Sequence, residues 1–207
     1  TSDEPGRILF AYSSAGGQVP AGAHLDCIRR AASAGFVPFA PERDVIDDVS
    51  CGRLIAALES ARISQTPISV LHILCHGGTY GSTCALLLNN ETPSDGPVRV
   101  DAAWLRQHLA PYADMVRLVV LMACDSGNSG ELGNHLGSIA QTLHRAGFSQ
   151  VVASRFPLSI TGSICFTQTF YTELLGALAS VEQAPLRTRA QLSLDSTQLD
   201  WAGLQLY

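Results

Sequence analysis

The sequence predicts an α/β fold: a mostly parallel sheet of about six strands with helices on both faces and a small β-hairpin excursion. Three observations point to it. Short apolar runs recur along the chain, segments of helical periodicity fall between them, and the runs close on clusters of small polar residues. The clearest is LVVLMACDSGNSG, residues 118–130, where an unbroken apolar stretch stops at Cys124 and a turn-like tail follows. A run without alternation reads as a strand buried on both faces, the pattern of a parallel sheet covered by helices. Strands alternating with helices of this length imply right-handed crossovers. No linker rich in Pro, Gly or Ser divides the 207 residues and no internal repeat is visible, so one domain over residues 8–207 is expected behind a short leader at 1–7.

Each element follows from local signals. RILFAY, residues 7–12, is a strand that stops at SSAGG, and Leu25, Ile28 and Ala32 mark a helix over about residues 24–34. FVPFA, residues 36–40, reads as a second strand that its proline assigns to an edge. Ser50 caps a helix running to about residue 60, and SVLHILC, residues 69–75, returns as a buried strand. STCALLLNN, the polar loop NETPSDGP and VRV form the hairpin excursion, after which Asp101 caps a helix to about residue 109. The run at 118–124 is the fourth buried strand, with Cys124 its last residue. A helix over about residues 132–145 ends at Gly147, and QVVAS, residues 150–154, is the fifth strand. A long helix over about residues 161–178, a helical stretch carrying Arg187 and Arg189, and a final strand within WAGLQLY complete the chain.

Bulk properties exclude several function classes. Apolar residues make up 46% and charged residues 15%, a composition that buries a core rather than staying disordered. Thirteen scattered Lys and Arg against 18 carboxylates, net −5, leave no basic footprint, so nucleic acid is not an expected partner. No apolar run reaches the roughly 18 residues of a membrane span, and TSDEPGR has neither the basic nor the apolar region of a signal peptide. No membrane association and a cytoplasmic location are therefore expected. Cys27, Cys51, Cys75, Cys84, Cys124 and Cys165 lie far apart with no C-x-x-C, which favours free thiols in a reducing compartment and offers no metal spacing. Neither a metal nor another cofactor is implied. Asn90-Glu91-Thr92 matches a glycosylation acceptor but lacks a secretory context.

Chemistry is concentrated at two strand ends. In open α/β sheets ligands bind beyond the carboxyl ends of the strands, which is where Cys124 falls; the competing reading is a small inert apolar filler. The strand ending at Cys75 leads into His76-Gly77-Gly78. Alternation sends Cys75 and His76 to opposite faces, and His72, inside the apolar run, reads as a core histidine. If the two strands are neighbours, His76 and Cys124 meet at one edge. A thiol needs a nearby imidazole or helix N-terminus to become a nucleophile at neutral pH. The 48 residues from His76 to Cys124 resemble the spacing of a known His/Cys peptidase class. Gly77 and Cys124 could then offer backbone N–H groups to an oxyanion.

ILFAYSSAGG, HILCHGG, LMACDSG, VVASRFPLS, FYTELL and DWAGLQLY, in this order, resemble a CHAT domain, a caspase-like cysteine peptidase of bacteria, over nearly the whole chain from about residue 8. The resemblance implies a caspase-like three-layer sandwich and a cysteine endopeptidase with His76 and Cys124 as its dyad. It also implies a protein substrate, and control by a regulatory module in the same longer chain or complex, within a bacterial signalling or defence system. By the same resemblance Met122 and a position loosely near residues 20–22 line the pocket for the residue before the cut. Neither place carries a charged pair, which favours a small or apolar residue there because an unpaired buried charge is costly. Asp125 and Asp26 keep a basic preference open. Ser154 and Arg155 match the edge along which relatives pair the substrate as an added strand.

SSAGGQVPAG lacks G-x-G-x-x-G and a following Gly-Lys-Ser/Thr, which speaks against a nucleotide site, and no G-x-S-x-G elbow supports a serine hydrolase. Ser126 and Ser129 read as loop residues. Arg29, Arg30, Arg187 and Arg189 read as solvated helix faces, with docking of a regulator as the alternative. The rival to a peptidase is a catalytically silent scaffold that keeps both dyad residues.

Overall fold

The computed structural model describes residues 6–80, 83–123, 135–154, 158–177, 179–194 and 199–207. In chain order the elements are β1 (Arg7–Tyr12), α1 (Ala21–Ala34), α2 (Pro41–Asp44), β2 (Val45–Ile46), α3 (Cys51–Ile63), β3 (Ile68–Tyr80), β4 (Thr83–Leu88), β5 (Val98–Asp101), α4 (Ala102–Leu109), β6 (Val116–Ala123), α5 (His135–Arg145), β7 (Gln150–Ser154), α6 (Ile160–Tyr171), α7 (Gln183–Leu192), α8 (Asp200–Gly203) and β8 (Leu204–Leu206). The main sheet has the order β2-β1-β3-β6-β7-β8. All neighbours in it are parallel except β8, which runs antiparallel to β7.

Apolar side chains on both faces of the central strands decide the layering. Leu9, Ala11, Leu71, Ile73, Val119 and Leu121 join one core, together with residues of α3, α4 and α5. Ile8, Phe10, Val70, Leu74, Val120 and Met122 join the other, together with residues of α1, α6 and α7. The result is a three-layer sandwich. On α1 the buried positions His24, Cys27, Ile28, Ala31 and Ala32 repeat at helical spacing, so one stripe meets the sheet. Ser50 and Asp101 cap α3 and α4 as expected, accepting from the backbone N–H of Arg53 and Trp104.

Three sequence expectations are corrected. Residues 37–40 form no strand; the edge strand is β2, whose Val45 and Ile46 lie opposite Phe10 and Ala11. Pro38 has no N–H for a ladder, and Phe36, at φ 55° and 94% exposed, turns the chain out of α1 in a left-handed conformation. The helix expected over residues 161–178 is α-helical only to Tyr171 and widens to a π-turn over Thr172–Gly176. There it packs against α1 so closely that a side chain at Gly35 would strike the Leu175 carbonyl. Finally, β3 does not stop at Cys75. Its tail, His76–Tyr80, pairs antiparallel with β4, which pairs with β5, so the hairpin is built onto the end of a sheet strand.

Candidate active site

β3 changes partners at His76. Up to Cys75 it runs parallel to β6, with Leu74 opposite Met122 and Cys75 opposite Ala123; from His76 onward it pairs with β4, His76 lying opposite Leu87. His76 therefore sits within the strand, at the seam between the parallel sheet and the hairpin. It is 6% exposed, and its Nε2 is buried with no hydrogen-bond partner among the described residues. Such an atom retains its full capacity to donate or accept, at a desolvation cost a folded protein rarely leaves uncompensated.

The carboxyl ends of the neighbouring strands are fastened together around this seam. Ser13, buried just beyond β1, donates its N–H to the Leu74 carbonyl at 2.9 Å and its hydroxyl to Asn89 Oδ1 at 2.7 Å. Asn89, just past β4, donates its N–H to the Val49 carbonyl at 3.0 Å, and Val49 donates its own to Tyr12 at 2.8 Å. Across the seam, the Ala123 carbonyl accepts from Leu158 N–H at 3.4 Å. Tyr12, Leu74 and Met122 make one rung on the α1 and α6 side of the sheet. The Tyr12 phenol is raised above its usual pKa by burial and by the carboxylates of Asp47 and Asp48.

Several sequence-named residues fall elsewhere. Cys124, Asp125, Arg155, Ser126 and Ser129 lie outside the described residues. Gly77 lies opposite Leu86, one residue beyond His76 in the β4 ladder. Met122 is buried at 1% exposure. Ser154 is buried and lies opposite Leu204, so β8 fills the edge expected to be open at that residue, and any free edge begins after it. Asp26 is on the solvent side of α1, two residues from the inward His24, and is ion-paired with Arg29 at 2.9 Å; it is not brought to His76. The docking candidates have partners within the chain: Arg187 bonds Glu173 at 2.7 Å, and Arg189 stacks over Trp201. Cys27, Cys51 and Cys165 are free thiols.

Sequence reasoning placed His72 in the core, and the structure agrees: it is fully buried, its Nδ1 3.0 Å from the Tyr171 hydroxyl. Its neighbour His24 went unnoticed in the sequence. That ring lies edge-on to His72, 5.5 Å between centroids, and bonds Thr167 through Nδ1 at 3.0 Å and Ser163 through Nε2 at 3.2 Å. The helical stripe through Cys27, Ile28 and Ala31 was the signal that could have placed it.

Among the described residues no three His, Cys, Asp or Glu side chains are grouped to hold a metal, and no helix is long and apolar enough to cross a membrane. A cavity of about 300 Å³ between α6 and α7, bordered by Cys165, Gly162 and Asp200, does not include His76.

Residues 40–207 match the family model described as CHAT domain. Among solved structures the chain is similar to the Drosophila initiator caspase Dronc, at 13% identity and a TM-score of 0.59, over 90% of this chain and 72% of that one. That likeness shows a caspase-like fold. No curated protein matches the sequence.

Proposed function

The chain belongs to the CHAT domain family, which has the caspase-like cysteine protease fold, and on that premise we propose that it is an endopeptidase whose His76 and Cys124 cleave a protein substrate. One observation carries the proposal. Each pair of the parallel ladder sets a β3 residue opposite the residue 48 positions later in β6, from Ile68 and Val116 to Cys75 and Ala123. His76 and Cys124 are separated by the same 48 residues, each one step beyond that last pair. The Nε2 of His76, buried and without a hydrogen-bond partner among the described residues, supports the same reading, since a general base must be able to accept a proton.

The chemistry follows from those groups. His76 takes the thiol proton of Cys124, and the sulfur attacks the scissile carbonyl carbon. Backbone N–H groups of Gly77 and Cys124 stabilise the resulting oxyanion. His76 returns the proton to the leaving amine as the C–N bond breaks and a thioester forms. Water, deprotonated by His76, then releases the acid and restores the thiol. Met122 is apolar and its place in the sequence carries no charged pair, which suits a small or apolar residue before the cut. A module elsewhere in a longer chain or complex controls the site.

The test is turnover of a peptide library varied at the residue before the cut, with Cys124→Ala and His76→Ala as comparisons. The reading expects turnover in the wild type and its loss in both variants, together with labelling of Cys124 by an acyloxymethyl ketone. A folded wild type that neither cleaves nor labels, alone and with its natural flanking modules, would leave the scaffold reading in its place.

A further inference from the structure

We propose that Gly16 is a positioning residue for His76, held in place by the Ser13–Asn89 hydrogen bond; this rests on the reading of His76 as the acid–base group. Gly16 lies in the turn after β1 at φ +86°, a region that L residues with a Cβ rarely occupy. Its missing side chain also faces Leu87 and His76. A methyl group there would stand 2.8 Å from Leu87 Cδ1, and 3.8 Å from both Cβ and Cδ2 of His76. Leu87 is the residue opposite His76 in the β4 ladder. Gly16 therefore closes the corner between the His76 ring and its cross-strand neighbour.

The turn is held down from behind. Ser13 is fully buried and bonds Asn89 at 2.7 Å, while its hydroxyl also accepts from Ala15 N–H at 3.2 Å. The Gly17 N–H returns to the Ser14 carbonyl at 3.0 Å. These bonds fix the turn against the strand that carries Leu87. At φ +86° a Cβ at position 16 strains the turn whether or not the flexible end of Leu87 swings aside, and a turn that relaxes moves away from the His76 ring it lies against. Since misplacing a catalytic group by about 1 Å can cost roughly 100-fold in rate, the contact bears on turnover without touching substrate.

The experiment reads His76 directly. In the full chain carrying ring-labelled histidine, the His76 Cδ2–Hδ2 cross peak is assigned by its loss in His76→Gln and then compared among variants. Gly16→Ala is expected to displace it and to lower kcat by roughly 10- to 100-fold with KM changed less than about twofold. Gly96→Ala is the control: Gly96 has φ +74° in the hairpin loop with nothing near its missing Cβ, so the same backbone strain should leave the His76 signal and kcat unchanged. If Gly16→Ala does not fold, Ser13→Ala removes the bond to Asn89 without the φ penalty and should displace the same peak. An unmoved His76 peak in a folded variant overturns the proposal. A displaced peak in a chain whose wild type cleaves no peptide upholds the positioning contact while removing the peptidase reading on which its use depends.

Discussion

Acidification from pH 6.5 to about 4 should cost this fold several kcal/mol through two buried histidines, His24 on α1 and His72 on β3 four residues before His76. His24 is fully buried, and burial lowers its pKa from 6.5 to about 4. His72 is pushed well below 6.5 by burial first and by the neighbouring His24 second. His24 is bracketed by two hydroxyls, Thr167 at 3.0 Å from Nδ1 and Ser163 at 3.2 Å from Nε2, and no carboxylate among its hydrogen-bond partners offsets the burial of a charged ring. In the unfolded chain both imidazoles bind a proton as pH falls through 6.5, while in the folded chain His24 does not until about 4. The unfolded state thus gains protons first, and stability falls with falling pH. Each histidine contributes a slope of about 1.4 kcal/mol per pH unit inside its window, and His24 alone costs about 3 kcal/mol across it. That is a large share of the roughly 5–15 kcal/mol available to a domain. Urea unfolding followed by the fluorescence of Trp104 and Trp201 between pH 7 and 4.5 measures it. His24→Gln should cut the slope by about half. A stability that stays flat over this range, or a slope unchanged in His24→Gln, would refute the reasoning.

Four further outcomes follow from single contacts, each read by denaturant unfolding. Asp44 is buried and accepts from Arg7, Arg43 and the Ala40 N–H; these bonds outweigh its burial and hold its carboxyl below the usual range. Asp44→Asn should cost about 3–5 kcal/mol by leaving Arg7 without its counter-charge. Ser50→Ala and Asp101→Ala each remove a helix cap and should cost about 1 kcal/mol. Leu71→Ala, at a fully buried position of the central strand, should cost about 2–5 kcal/mol. A Cβ at Gly162 would meet Asp200 Oδ2 at 2.0 Å, so Gly162→Ala should destabilise by about 1–3 kcal/mol, and much less in an Asp200→Ala background.

Local chemistry made much of the fold legible. Ser50 and Asp101 announced two helix starts because a cap is a short-range bond, and the unbroken runs at β3 and β6 announced strands covered on both faces. What failed did so where a tertiary contact overrides local preference. FVPFA has the apolar content of a strand, yet its proline and the left-handed Phe36 hand the edge to two residues further on, where Val45 and Ile46 reach β1. HGGTY has almost none of that content and is still strand, because β4 supplies the ladder partner that its glycines do not advertise. Asn89 and Gly16 were silent in the sequence for a related reason: what they do depends on Ser13 and His76, residues more than 50 positions away.

The same distinction explains why His76 could be singled out while its neighbours could not. In a parallel pair, lateral adjacency is a property of register, and register is a constant difference between two residue numbers. Between β3 and β6 that difference is 48 at every rung from Ile68 to Cys75. The burial pattern enforces it: a slip of one residue would turn Val119 and Leu121 from one core to the other and bring Val120 and Met122 across with them. A histidine and a cysteine with this separation, each directly following the last rung, carry their relation in the numbering alone. An inserted residue in the connection between the strands leaves the register intact, since loops absorb length. An inserted residue inside β6 does not, and breaks the constant 48-residue register while the hydrophobic faces are scrambled. Insertions of one glycine, at Pro97 in the hairpin loop and at Val120 in the strand, should therefore differ sharply: the first leaves the fold near wild-type stability, whereas the second unfolds it.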